Sequence, residues 1–226
     1  MDSDGDFVIT WQSSNQDGNS GGIYAQRFNA SGVVQGGEFL VNTYTTDNQY
    51  LPGVAMDSDG DFVIAWESYN QDGDGYGIYA QRYNAMGVAQ GTEFQVNTYT
   101  TSYQASPSIA MDSDGNFTIA WESQQDGSSY GIYAQRYNAS GVAQGSEFLV
   151  NTHTTNAQRD PAIAMESSGD FLIAWKSLDQ DGDGYGVYAQ QYTIPLGTGV
   201  KNAFANNKIE LYPNPSIGQF TIHAEG

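Results

Sequence analysis

Carboxylates are the commonest chemistry-bearing residues in this chain, and they recur in a fixed pattern. Asp2-Ser3-Asp4-Gly5-Asp6, Asp57-Ser58-Asp59-Gly60-Asp61 and Asp112-Ser113-Asp114-Gly115-Asn116 are copies of one motif, which decays to Glu166-Ser167-Ser168-Gly169-Asp170. Alternating carboxylates gather oxygens around hard cations, so Asp57, Asp59 and Asp61 form a candidate calcium set. Calcium is the one cofactor these residues suggest. An EF-hand loop needs glycine at its sixth position, where Phe62 stands here. The competing reading is a hairpin turn in which Asp-Gly supplies a positive φ.

A second acidic motif lies further along each copy: Asn15-Gln16-Asp17-Gly18, Asn70-Gln71-Asp72-Gly73-Asp74, Gln124-Gln125-Asp126-Gly127 and Asp179-Gln180-Asp181-Gly182-Asp183. Loops on a rigid scaffold favour binding residues. Tyr69, Asp72, Asp74, Tyr76, Asp126, Asp181 and Asp183 are therefore candidates for contacting sugar hydroxyls, a partner protein or calcium. The alternative is solvated turns whose acidity serves solubility. Arg27, Arg82 and Arg136 each stand eleven residues before Glu38, Glu93 and Glu147, a spacing that suggests an ion pair across two strands. Catalysis has little support. His153 and His223 sit in no triad or HExxH setting, and there is no cysteine nucleophile. The carboxylates repeat nearly unchanged, whereas an acid and a base need different environments. A non-enzymatic role is expected.

The elements that carry these motifs follow from the repeat itself. Trp11, Trp66, Trp121 and Trp175 are 55, 55 and 54 residues apart, and Met1, Met56, Met111 and Met165 keep the same spacing. Each tryptophan ends a run of the type FVIAW, and GIYAQRY or a close variant follows. Each unit reads as four strands: A before the DSDG turn, B ending at the tryptophan, C at GIYAQRY and D at EFQVNT. Strand B is apolar on both faces and so needs cover on both. Radially stacked blades provide it. The fold class expected is all-β, an incomplete β-propeller of ~55-residue four-stranded blades, with a β-solenoid as the alternative. Residues 1–193 hold the repeats, with units near 1–50, 51–105, 106–159 and 160–193. Residues 194–207 read as a linker and 208–226 as a further element. The inventory B-C-D, A-B-C-D twice, then A-B-C suggests a fragment of a larger protein. It also suggests that the native N-terminus supplies strand D to the last blade.

Composition excludes several partners. The 226 residues carry 7 Lys plus Arg against 26 Asp plus Glu, a net charge of −19. That charge disfavours nucleic acid and polybasic membrane contact. No apolar run is long enough for a transmembrane segment, and no signal peptide opens the sequence.

Two segments resemble known families. Leu211-Tyr212-Pro213-Asn214-Pro215, then Gly218 and Phe220-Thr221-Ile222, resemble the start of the C-terminal sorting domain of the type IX secretion system. The resemblance implies Tyr212, Pro213, Asn214, Pro215 and Gly218 as a sorting signal, the secretion machinery as a partner, and a secreted or outer cell-surface location. The match covers residues 208–226, and the family's domain is several times longer. The repeats resemble the QDG…GIYAQR-type repeats of large bacterial secreted and surface proteins. The expected function is a secreted or cell-surface binding or adhesion module whose loops meet a polysaccharide or surface protein. The alternatives are structural spacer repeats or a non-catalytic part of a glycan-active enzyme.

Overall fold

The computed structural model describes residues 1–194 and the strands 205–212 and 221–224. Four antiparallel sheets follow one another along the chain. The first holds β1 (Phe7–Ser14), β2 (Gly21–Phe28) and β3 (Val34–Leu40). The second holds β4 (Gln49–Met56), β5 (Phe62–Tyr69), β6 (Tyr76–Tyr83) and the short β7 (Phe94–Gln95). The third repeats it with β8 (Gln104–Met111), β9 (Phe117–Ser123), β10 (Gly131–Tyr137) and β11 (Phe148–Leu149). The fourth holds β12 (Gln158–Met165), β13 (Phe171–Leu178), β14 (Tyr185–Thr193), β15 (Ala205–Tyr212) and β16 (Thr221–Ala224). The first strands β4, β8 and β12 lie side by side, so the sheets are blades of a β-propeller arranged about an inner edge. The one-residue deletion in the third repeat falls between β9 and β10, in a loop.

The double-sided hydrophobicity of strand B is explained by a large-on-small joint between blades. Phe62, Ile64 and Trp66 point back onto Ile23, Ala25 and Val41 of the first blade. Val63 and Ala65, one residue out of step, point forward onto Phe117, Ile119 and Trp121 of the third. The next joint packs Phe171, Ile173 and Trp175 on Ala120, Ile132 and Ala134. Each such aromatic or aliphatic side chain contributes about 1.5–3 kcal/mol on burial, so three per joint outweigh any single hydrogen bond there. The outward faces of the terminal blades lack this cover: Ile9 is 47% exposed and Val187 49%.

A buried polar hinge joins each strand D to the next strand A. Asn97 Oδ1 accepts from Ile78 N–H at 2.7 Å, and its amide donates to Tyr99 O and to Gln104 Oε1. Gln104 in turn donates to Thr101 O. Asn42 with Gln49, and Asn151 with Gln158, repeat the arrangement. Packing sets the blades face to face, and this hinge fixes how far the chain travels between them.

The DSDG motif is a self-capped turn that joins blades. Asp57 Oδ1 accepts from the N–H of Asp59 and of Asp61, and Asp61 Oδ1 accepts from Ala85 N–H. Gly60 has φ +89°, and a Cβ there would meet Ala85 and Asp2 Oδ2 at 3.1 Å. Ser3, Ser58 and Ser113 donate their hydroxyls to the carbonyls of Ser58, Ser113 and Ser167, stitching successive turns together. Asp57, Asp59 and Asp61, the candidate calcium set, lie in this turn. The carboxylates of Asp57 and Asp61 serve backbone donors, and no group of three or more His, Asp or Glu converges on a metal position among the described residues.

The arginine–glutamate pairing is corrected at Arg27 and Arg82. Arg27 donates to Met86 O and Arg82 to Ser140 O, each in the strand C–D turn of the next blade. Glu93 instead accepts from Thr43 N–H and Gln71 Nε2, and Glu147 from Thr98 N–H and Gln125 Nε2. At the far end, β15 pairs with β14, so residues 205–212 take the strand D position that was expected from the native N-terminus. The expected linker, 194–207, overlaps that strand by three residues, 205–207.

Replacing Asn97 with alanine strands the buried Ile78 N–H and Gln104 Oε1. It is expected to cost at least about 2 kcal/mol. Urea unfolding followed by tryptophan fluorescence measures this, and loss of less than about 0.5 kcal/mol would show that the hinge is dispensable.

Candidate functional site

The QDG loops and the starts of the inner strands share one end of the blades. The register pairs Tyr50 with Glu67 and Tyr69 with Tyr76. The DSDG turns occupy the opposite end. Asp74 Oδ2 accepts from Ser102 N–H, and the Ser102 hydroxyl bonds Gln124, so loops of adjacent blades are tied together on this face.

Aromatic rings gather there. Tyr76, Tyr130 and Tyr185 are equivalent residues at the start of strand C in the second, third and fourth blades. Tyr76 packs against Tyr50, Tyr69 and Tyr103, with ring centroids 6.1, 4.9 and 5.6 Å away. The Tyr130 ring lies 3.7 Å beneath the Arg159 guanidinium carbon. Lys176 Nζ stands 5.0 Å from the centre of the Tyr185 ring. Tyr103 is 41% exposed and Tyr185 46%, large apolar surfaces held open to solvent on this face.

Beneath the rings the repeat breaks. The residue after each strand B tryptophan is Gln12, Glu67, Glu122 and Lys176 in turn. Glu67 is 7% exposed and Glu122 2%. Each carboxylate reaches forward to an irregularity in the next blade's inner strand. Glu67 Oε2 accepts from Ser106 N–H at 3.4 Å, and Glu122 Oε1 from Asp160 N–H at 2.7 Å. Ser106 and Asp160 have φ +55° and +53° and precede Pro107 and Pro161. A residue before proline is normally extended, so this backbone is strained and the carboxylate helps to hold it.

The two carboxylates differ in their company. Glu122 has an ion pair with Arg159 at 3.3 Å. Burial pushes its carboxyl up, while Asp160 N–H and Arg159 restrain it. Glu67 has no cation among the described residues. Burial pushes it from 4.5 up to about 7, the Ser106 N–H opposes, and the Glu122 charge adds to the rise. Lys176 pairs with Asp160 in its own blade, which raises the ammonium's pKa.

The sequence-derived candidates divide. Tyr69 and Tyr76 belong to the aromatic cluster. Asp72 Oδ2 accepts from Gln95 and Asn97 side chains, and burial raises its pKa. A Cβ at Gly77 would lie 2.6 Å from the same oxygen, so Asp72 is tucked against the sheet. Asp74 pins Ser102 across the blades. Asp126 and Asp181 each accept from a backbone N–H two residues ahead, and Asp183 is exposed. These aspartates shape the loops, with the tyrosines above them. Tyr212 lies in β15, whereas Pro213, Asn214, Pro215 and Gly218 lie outside the described residues. Sequence reading passed over Glu67, Glu122, Arg159 and Lys176. A column-by-column comparison of the repeats would have marked them, because these columns do not repeat.

Two hollows of about 300 and 260 Å³ lie at the opposite end, beside Glu166 and Asp170 and between Asp112, Thr118 and Gly169. Neither touches the aromatic face.

No family model and no curated protein matches the sequence. Solved structures do share its fold. A thermostable family-43 glycoside hydrolase superposes with a TM-score of 0.54 at 11% identity, over 95% of this chain and 75% of that one. An α-L-arabinofuranosidase from Lactobacillus brevis gives 0.51 at 11%, over 84% and 70%. An exo-1,5-α-L-arabinanase from a bovine ruminal metagenomic library gives 0.50 at 11%, over 87% and 73%. At such identities the likeness is one of fold.

The Glu67 environment has a pH consequence. Between about pH 4.5 and 7 the unfolded chain gives up this proton while the folded chain keeps it. The group's contribution is therefore full below that window and is lost as pH rises through it. Glu67→Gln should flatten this dependence and gain on the order of 2–3 kcal/mol over the native chain at pH 8. Chemical unfolding of both proteins from pH 4 to 8 measures the difference, and parallel curves would contradict it.

Proposed function

We propose that this chain is a secreted or cell-surface glycan-binding module that holds its ligand on the loop-bearing face without cleaving it. The observation that carries the reading is the tyrosine array. Tyr103 and Tyr185, beside the clustered Tyr76 and the Arg159-covered Tyr130, offer flat apolar surfaces open to solvent. Sugar rings present an apolar C–H face and a polar rim, so stacking and hydrogen bonding are satisfied together. The fold is shared with proteins whose names include arabinan-active and other glycoside hydrolases, which supports a carbohydrate ligand.

The non-catalytic part of the proposal rests on burial. A glycosidase needs two carboxyl groups reaching the scissile bond. Of the three carboxyls with raised pKa on this face, Glu122 is closed off by Arg159 and the Asp160 N–H and Asp72 is tucked against the sheet, which leaves Glu67 without a second carboxyl to work with. Export by the type IX system through residues 208–226 completes the proposal. Substitutions at Pro213, Asn214 and Pro215 test it by fractionation of secreting cells.

Binding is tested with arabinan, xylan and chitin-derived polymers in affinity electrophoresis, with released reducing sugar assayed in parallel. Retardation by at least one polymer, weakened about tenfold by Tyr185→Ala and Tyr103→Ala, is expected, because a stacked ring contributes about 1–1.5 kcal/mol. Sugar release would overturn the non-catalytic reading, and absence of retardation by every polymer would overturn the glycan reading.

A further inference from the structure

The joints between blades allow an internal comparison. At the joint of the third and fourth blades three groups form a column: the Tyr130 ring, the Arg159 guanidinium over it, and the Glu122 carboxylate paired to that guanidinium. The same three positions at the joint of the second and third blades are Tyr76, Ala105 and Glu67. The ring and the buried carboxylate are kept, and the cation between them is replaced by a methyl group. The backbone does not differ: β8 and β12 carry the same register shift, between Ala105 and Ser108 and between Arg159 and Ala162. Ala105 therefore stands where an arginine side chain would cross the mouth, and nothing else in the described chain supplies a positive charge to Tyr76 or Glu67.

The surroundings of that seat are those a cation needs. Tyr50 and Tyr103 tilt in at 45° and 35° to the Tyr76 ring. Tyr103 replaces the small Ala157 of the next joint, so an extra aromatic ring stands beside Tyr76. Rings presenting negative faces around a carboxylate are a recognition site for ammonium groups. The chain fills this arrangement itself at Tyr130 with Arg159, and it places Lys176 over Tyr185.

We propose that the Tyr76–Ala105–Glu67 seat takes a protonated amine of the bound glycan, so that the ligand class is a polymer of amino sugars with free amino groups. This rests on the glycan reading above and narrows it. The amine stacks on Tyr76 and pairs with Glu67, while neighbouring sugar rings lie along Tyr103 and Tyr185.

Calorimetric titration of the full chain with a glucosamine hexamer, its N-acetylated counterpart, a xylose hexamer and a lysine hexapeptide tests the proposal. The glucosamine hexamer should bind at least about tenfold tighter than the N-acetylated one, the scale of a partly desolvated cation–π contact. Ala105→Arg is the decisive variant, because it fills the seat with the side chain the next joint already uses. It should remove that preference while keeping the native melting temperature or raising it. Tyr76→Ala should also remove the preference. Equal binding of the two hexamers would overturn the amine seat and leave the glycan reading intact, as would an Ala105→Arg variant with wild-type preference. Capture of the lysine peptide with no sugar bound would overturn both.

Discussion

The fold depends on one asymmetric contact repeated around an arc: a large face of one blade on a small face of the blade before it. Phe62, Ile64 and Trp66 against Ile23, Ala25 and Val41 is a joint that cannot be reversed or slipped, because a shift of one residue along strand B would exchange the large and small sets. The contact fixes the angle between sheets, and the Asn–Gln hinge fixes the chain path that crosses it. Everything on the two ends of the blades is placed by these two constraints. The DSDG turns are thereby brought close enough to stitch through Ser58 and Ser113, and the tyrosines at the start of strand C are brought within reach of the next blade's inner strand.

Much of this was legible from the sequence, for a physical reason. Repetition makes a pattern readable many times over, and strand B alternates large and small side chains that both demand burial. Strand identity, blade order and the loop position of the single deletion follow from that. The roles of the acidic residues were less legible. Asp57 looks like a cation ligand in a list of residue types, but its Oδ1 is spent on the N–H groups of Asp59 and Asp61. Arg82 and Glu93 have opposite charge and regular spacing, yet each partners groups in an adjacent blade or loop that spacing within one repeat does not reveal. The partners lie across the joint, so they become visible only once the blades are stacked.

The proposed function concentrates where the repeat fails. A scaffold of equal blades offers equivalent positions, and chemistry arises when those positions are filled unequally. Glu67, Glu122 and Lys176 occupy one column, and Ala105 and Arg159 another. Searching for motifs emphasises what recurs, so these residues are easily passed over. At Tyr130 the chain itself stacks ring, cation and carboxylate, and Ala105 marks the joint where that cation is missing.

The central claim is that Glu67 lacks the cation that Glu122 has, and that Ala105 is the reason. Carbon-detected NMR titration of the Glu67 carboxyl in the native chain and in Ala105→Arg measures it directly. The account predicts titration near 7 in the native chain and a clear downward displacement when arginine stands at 105. Coincident titration curves in the two proteins would contradict it.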